Sequence, residues 1–304
     1  MWFDPAAVEV VRDAIPTWLA VVMVVLSYLG SVYLIAPAMI AAYWKKRELV
    51  APWLGGVVGC YGLMSVTKSF HSASRPTVGP PVGADPFPEW FVPWYEHAAH
   101  IDTASFPSGH ALAATIIVGM VVLDLPVSTF AKRALVGAAV VGWVGFTRIG
   151  LAVHYPGDVA GGIAYGLAFL AIYYLVRLRA ARSRRIDEPT AAFALGLTLG
   201  AAALVVSGSR NAHIVFGAGI GGLFAWYWAP VVATEIRDSV WETVLPILGV
   251  TIVVATWFVT DLGIGSRGFL VGWSALFLAM VVWVPWVAGG RDVPVEIPTT
   301  QHSD

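Results

Sequence analysis

Apolar runs long enough to cross a lipid bilayer recur along this sequence, at roughly residues 17–42, 50–67, 109–125, 134–152, 157–177, 190–207, 213–233, 243–260 and 268–288. A hydrocarbon core about 30 Å thick takes about 20 apolar residues of helix to span. Every backbone N–H and C=O inside it must be paired within the structure, so single runs of this kind fold as helices. The runs predict an all-α, polytopic membrane bundle of about nine transmembrane helices. Composition agrees, since 58% of the 304 residues are hydrophobic and only 12% are charged, far from the balance of soluble domains. Close-spaced glycines such as Gly55 with Gly59 and Gly162 with Gly166 suit helices packed tightly in lipid.

The net charge of -1 conceals an asymmetry between the two ends of these helices, and gives no basic footprint for nucleic acid. Lys45, Lys46, Arg47, Lys132, Arg133, Arg177, Arg179, Arg182, Arg184, Arg185, Arg237 and Arg291 fall on one side. Arg12, Lys68, Arg75, Arg148, Arg210 and Arg267 fall on the other. The positive-inside rule then predicts a cell-membrane protein with its N-terminus outside and its C-terminus in the cytoplasm. The first run follows an acidic segment and is too long for a signal-peptide core, so no cleaved leader is expected. Residues 5–15 read as a short interfacial helix. The single Cys60 makes no intrachain disulfide.

Three polar clusters lie on the outer side, and Lys68, Arg75 and Arg148 stand in the first and third of them. The first is "KSFHSASRP", residues 68–76, where Lys68 and Arg75 share a face if the helix continues through them and Pro76 ends it. The second is "PSGH", residues 107–110, a helix start with Ser108 as N-cap. The third is "TRIGLAVHYPGD", residues 147–158, at a turn between two runs. Taken singly, each has a plain reading: snorkelling anchors, a helix cap, a structural network at a helix end.

Together the clusters match, in order and spacing, K-x6-R-P, P-S-G-H and S-R-x5-H-x3-D. The chain thereby resembles the type 2 phosphatidic acid phosphatase superfamily, which includes lipid phosphatases, glucose-6-phosphatase and vanadate-dependent haloperoxidases. One position departs, Thr147 standing where the family has Ser. The resemblance covers about residues 50–178 and implies a catalytic membrane domain over 1–180. Residues 181–304 form an additional C-terminal four-helix membrane region without counterpart in the family core. The six-helix membrane members carry the first motif after their third helix; here it follows the second apolar run.

Phosphoryl transfer asks mainly for positioning and for positive charge around the equatorial oxygens. Lys68, Arg75 and Arg148 supply the charge, Arg as a two-pronged fork and Lys as a compact centre. Ser108, Gly109 and the backbone N–H groups of Gly109 and His110 open a helix, where unpaired donors and the dipole favour an anion. The resemblance implies that His154 attacks phosphorus to give a phosphohistidine. Asp158, one helical turn on, would hold one ring N–H and aim the other nitrogen. His110 fits the general acid, then the base for water. No carboxylate cluster accompanies the motifs, so the expectation is chemistry without a metal or other cofactor, the three cations replacing the ion.

The expected activity is hydrolysis of a membrane lipid phosphate monoester or diphosphate, such as phosphatidate, phosphatidylglycerol phosphate or polyprenyl diphosphate. Alternatives are a phosphotransferase of the same fold and a non-enzymatic lipid transporter or scaffold with a vestigial site. His71, His97 and His100 lie on the same side without an assigned role. Residues 77–106, with "FPEWFVPWYEHAAH", form a loop for the outer leaflet, read either as a lid over a lipid entrance or as a passive connector.

Overall fold

The computed structural model describes residues 2–235 except 72, 86, 102 and 184, together with 244, 246–252, 255–256 and 265–288. Among these residues all regular structure is helical, with no strand. Helix α1 (Pro5–Asp13) is opened by Asp4, whose carboxylate accepts from the Ala6 amide at 3.0 Å, and by Pro5 at its first position. It meets α2 (Thr17–Ser27) at a bend of 115°. A 3-10 turn (Tyr28–Gly30) leads to α3 (Val32–Lys45), followed by α4 (Arg47–Phe70), α5 (Val92–Ala99), α6 (Gly109–Asp124), α7 (Phe130–Gly150) and α8 (Pro156–Ala181). Helices α9 (Glu188–Ser207), α10 (Arg210–Glu235) and α11 (Arg267–Ala288) complete the bundle. Six of these, α4, α7, α8, α9, α10 and α11, contain stretches long and apolar enough to cross a membrane unaided.

The first apolar run, expected as one helix over 17–42, is broken. Gly30 lies so close to α6 that a Cβ there would sit 2.8 Å from the His110 carbonyl oxygen. Ser31 then restarts the chain as the cap of α3, its hydroxyl accepting from the Tyr33 amide at 3.4 Å. The motif-bearing helix α4 is therefore preceded by two short helices instead of one long one. The run at 243–260 lies mostly outside the described residues, although 246–252 are helical. Arg184, Arg237 and Arg291 are also outside them, as is the C-terminus.

The main core is built from α4, α6, α8 and α9, with Trp53, Leu54, Leu112, Ile116, Met120, Phe169, Tyr173 and Phe193 buried together. Between lipid-exposed helices hydrophobicity gives little net drive, so close van der Waals packing has to hold the bundle. Glycine makes that approach possible where α9 crosses α4. A Cβ on Gly55 would lie 2.5 Å from the Ala192 carbonyl carbon, and one on Gly196 would lie 2.8 Å from the Gly55 oxygen. Helix α10 meets α11 the same way, Gly217 against the Val271 carbonyl and Gly221 against that of Ala275. Helix α11 returns to α3, where the Tyr43 hydroxyl and Trp44 indole donate to Val282 and Val281 carbonyls at 3.2 and 3.0 Å. The C-terminal helices are thus seated on the core.

The antiparallel run of α4, α6, α7 and α8 sorts their ends. At one end, Arg177 pairs with Asp124 at 2.6 Å and with Glu188 at 2.8 Å, and the Trp53 indole donates to the same Asp124 oxygen at 2.6 Å. The start of α4 and the ends of α6 and α8 therefore meet there, near Lys45–Arg47 and Lys132–Arg133. The other end gathers the C-terminus of α4, the N-terminus of α6, the C-terminus of α7 and the N-terminus of α8, which carry the three polar clusters.

Adding one methyl group at Gly55 forces backbone apart from backbone. Gly55→Ala is expected to destabilise the detergent-solubilised protein by about 1–3 kcal/mol, read as a lowered thermal unfolding midpoint. Gly142→Ala, where an added Cβ meets nothing within 4 Å, should leave that midpoint unchanged or raise it slightly, since Ala favours a helix interior over Gly.

Candidate active site

Lys68 stands in the last turn of α4, and its Nζ donates to the Ala104 carbonyl at 2.5 Å. The helix does not continue to Arg75 as the sequence suggested: it stops at Phe70, and His71 is already extended. Residues 73–76 run as irregular chain beside 103–105, fixed by the Ser105 amide donating to the Ala73 carbonyl at 2.9 Å. Arg75 is brought round by this segment, not by helical periodicity. Its Nε donates to the Thr103 carbonyl at 2.8 Å and its Nη1 to the Val153 carbonyl at 2.6 Å.

The Arg75 Nη1 also lies 3.3 Å from Nε2 of His154. A guanidinium only donates, so the contact requires Nε2 to be the acceptor and the ring proton to sit on Nδ1. That side of the ring faces Asp158, whose Oδ2 is 3.3 Å from Nδ1. The same Oδ2 receives the Tyr155 amide at 2.9 Å and caps α8. Pro156 occupies the first helical position, which suits a residue without an N–H. Asp158 Oδ1 is buried with no partner among the described residues. Both His154 and Asp158 are buried.

Arg148 is fully buried in the last turn of α7. One nitrogen, Nη2, donates to the Ala98 carbonyl of α5 at 2.8 Å, while Nε and Nη1 are buried without a partner among the described residues. A guanidinium with two idle donors in a dry pocket is costly unless an anion takes them. Thr147 turns its hydroxyl back to the Val144 carbonyl at 2.7 Å, within its own helix. Ser108 caps α6, accepting weakly from the Ala111 amide at 3.5 Å, and its own amide donates to the Asp158 backbone carbonyl at 2.9 Å. Gly109 is pressed against α4, where a Cβ would lie 2.8 Å from the Met64 sulfur. His110, half-buried at the first turn of α6, is within electrostatic range of Arg148, His154 and Lys68.

The structure therefore draws Lys68, Arg75, Arg148, His154 and Asp158 to one place, with Ser108, Gly109 and His110 on the helix start beside it. Ser105 was not among the sequence candidates. It is completely buried, and its hydroxyl lies 2.5 Å from Asp158 Oδ2 and 3.4 Å from His154 Nδ1. A serine three residues before "SGH" was its only trace in the sequence. Of the unassigned histidines, His71 contacts the Tyr165 hydroxyl at 3.4 Å, His97 packs on Tyr28 and Tyr33, and His100 pairs with Glu96 at 2.5 Å.

The long 77–106 segment is partly structured. Helix α5 buries Tyr95, Ala98 and Ala99 against Met23, Val24, Leu151 and Val153, so it packs over the turn that carries His154 and supplies the carbonyl for Arg148. Trp90 and Trp94 point outward, 73% and 45% exposed, as aromatic anchors at a membrane surface do.

Residues 49–182 match the family model of the PAP2 superfamily. Two curated relatives, lipid A 1-phosphatases of Rhizobium etli and Rhizobium johnstonii, are 29% and 28% identical to the chain over 144 residues, which is 44% of this chain and 55% and 52% of theirs. The chain thus spans about half the length of the curated relatives it matches. No solved structure matches it significantly.

Burial holds the His154 imidazole below its ordinary pKa; Asp158 opposes this, while Arg75 and Arg148 reinforce it. In the unfolded chain the ring takes up its proton near pH 6.5, and in the folded protein only at lower pH. Between those values the unfolded state binds more protons, so this residue makes stability fall as pH falls below about 6.5, by up to about 1.4 kcal/mol per pH unit. The thermal midpoint of the wild type should therefore drop more steeply from pH 6.5 to pH 5 than that of His154→Gln.

Proposed function

We propose, from the match of residues 49–182 to the PAP2 superfamily model, that the protein is an integral membrane phosphatase. It acts on a lipid phosphate monoester or diphosphate through a phosphohistidine, at the outer face of the cell membrane, with the N-terminus outside and the C-terminus in the cytoplasm. The observation that carries this reading is the His154 ring, clamped between the Asp158 carboxylate on Nδ1 and the Arg75 guanidinium at Nε2. A neutral imidazole so oriented presents its lone pair where cations gather, as a nucleophile toward phosphorus requires.

In this reading the phosphate takes the idle Nε and Nη1 donors of Arg148 and shares Lys68 and Arg75, while Ser108 and the α6 amides at Gly109 and His110 meet its remaining oxygens. Nε2 of His154 forms a bond to phosphorus as the bond to the lipid oxygen breaks. His110 gives its proton to that leaving oxygen. It then takes a proton from water, whose oxygen attacks the phosphohistidine and releases inorganic phosphate and free His154. Three cations and helix-start amides supply the charge stabilisation, so no step calls on a metal. Residues 1–180 form the catalytic unit and 181–304 a membrane region seated upon it.

The site's level at the helix ends lets an acyl or prenyl tail stay in the bilayer while its phosphate enters. The relatives named for lipid A add a phosphorylated glycolipid to phosphatidate, phosphatidylglycerol phosphate and polyprenyl diphosphate as candidate substrates. The test is phosphate release from this panel by detergent-purified protein in excess chelator. Activity should persist without divalent metal, fall to background in His154→Ala, and fall by about 10²–10⁴-fold in His110→Ala. Activity requiring magnesium, or surviving His154→Ala, would exclude this mechanism. Transfer of the phosphoryl group to an added alcohol in preference to water would identify a phosphotransferase instead.

A further inference from the structure

Ser105 occupies a junction that neither the motifs nor the proposed chemistry uses. Its backbone amide is fixed to Ala73, in the segment joining Lys68 to Arg75. Its hydroxyl lies between the two members of the third cluster, 2.5 Å from Asp158 Oδ2 and 3.4 Å from His154 Nδ1. It also precedes Ser108 by three residues. Ser105 therefore links the third polar cluster, through its hydroxyl, to the first, through its amide, and does so with no exposure to solvent.

A serine hydroxyl has one proton to give and two lone pairs. Asp158 as a carboxylate can only accept, so at this short distance the Ser105 proton must go to Oδ2. What remains toward His154 is a lone pair, which can meet Nδ1 only if Nδ1 carries a hydrogen. The Arg75 contact imposes the same tautomer from the opposite side of the ring. Ser105 also donates to Oδ2 beside the Tyr155 amide, so the oxygen that faces the ring is held from two sides.

We infer that Ser105 is a positioning residue that locks His154 in the tautomer with its proton on Nδ1 and its lone pair on Nε2. The inference rests on the phosphatase reading for its kinetic consequence but not for its structural one. When Nε2 bonds to phosphorus the ring gains positive charge, and the Nδ1 proton becomes a stronger donor toward Asp158 and Ser105. The pair should then act as one unit in the rate of phosphoryl transfer while contributing little to substrate binding.

The test combines kinetics with a direct view of the ring. Losing one charge-assisted, buried hydrogen bond is expected to lower kcat by about 10–100-fold, with KM within about threefold, in both Ser105→Ala and Ser105→Cys. The thiol preserves approximate size but donates weakly, so recovery of the wild-type rate in Ser105→Cys would mean that Ser105 only fills space and would overturn the proposal. In Asp158→Asn, adding Ser105→Ala should cost less than threefold further; fully multiplicative losses would equally overturn it. Nitrogen-15 NMR of histidine-labelled wild-type protein reads the tautomer without any substitution. A directly bonded proton on His154 Nδ1 and a bare Nε2 are expected, and the reverse would refute the lock even if Ser105→Ala fails to fold. Wild-type protein inactive on the whole lipid panel would remove the phosphatase reading, and the NMR result would still decide the tautomer.

Discussion

Three cations held around one imidazole repel one another, and the site depends on what keeps them there. Backbone carbonyls do much of it. Ala104 receives Lys68, Thr103 and Val153 receive Arg75, and Ala98 receives Arg148. Each carbonyl is a fixed dipole whose negative end offsets part of the charge, most strongly at Arg148, which is fully buried. Because the carbonyls belong to the backbone, they add no carboxylate that would compete with the phosphate proposed to bind there. Asp158, the carboxylate beside His154, is engaged by the ring, the Ser105 hydroxyl and the Tyr155 amide.

That arrangement explains why the segment between α4 and α6 is long and yet ordered around the site. Its carbonyls must reach three cations rooted on α4, α7 and the chain following α4, and a short turn could not present them. Helix α5 gives the segment a core of its own through Tyr95, Ala98 and Ala99. The N-terminal strap acts similarly on the opposite flank. The Gly157 amide donates to the Trp2 carbonyl at 2.9 Å, and Val8 packs with Ala152 and Tyr155. The turn holding His154 is thereby pinned from both sides, as the proposed role of nucleophile would require.

The helical scaffold supplies the level at which these groups meet. Glycine contacts between α4 and α9 bring backbones to near contact, so the core that sets the height of Lys68 also carries the C-terminal helices. At the far end, Arg177, Asp124, Glu188 and Trp53 tie α4, α6, α8 and α9 together. Among the described residues the charged groups of these helices are thus gathered at the two ends, as a bilayer demands.

Some of this was legible in the chain alone. Apolar runs fixed the helical class because hydrocarbon leaves the backbone few alternatives, and the cap at Ser108 marked where α6 begins. The residue spacing His154-x3-Asp158 put the carboxylate within a turn of the ring. Periodicity failed at Arg75, which arrives by irregular chain, and at residues 28–31, where Gly30 yields to the His110 carbonyl. Sequence could not single out Ser105 or the carbonyls of Ala98, Thr103 and Ala104, since their parts are set by partners 28 to 53 positions away. Local propensity and the bilayer thus determined which segments are helices and which residue types stand at their ends. Tertiary packing alone decided which donor meets which acceptor, because a buried hydrogen bond is specified by position in space and not by separation along the chain.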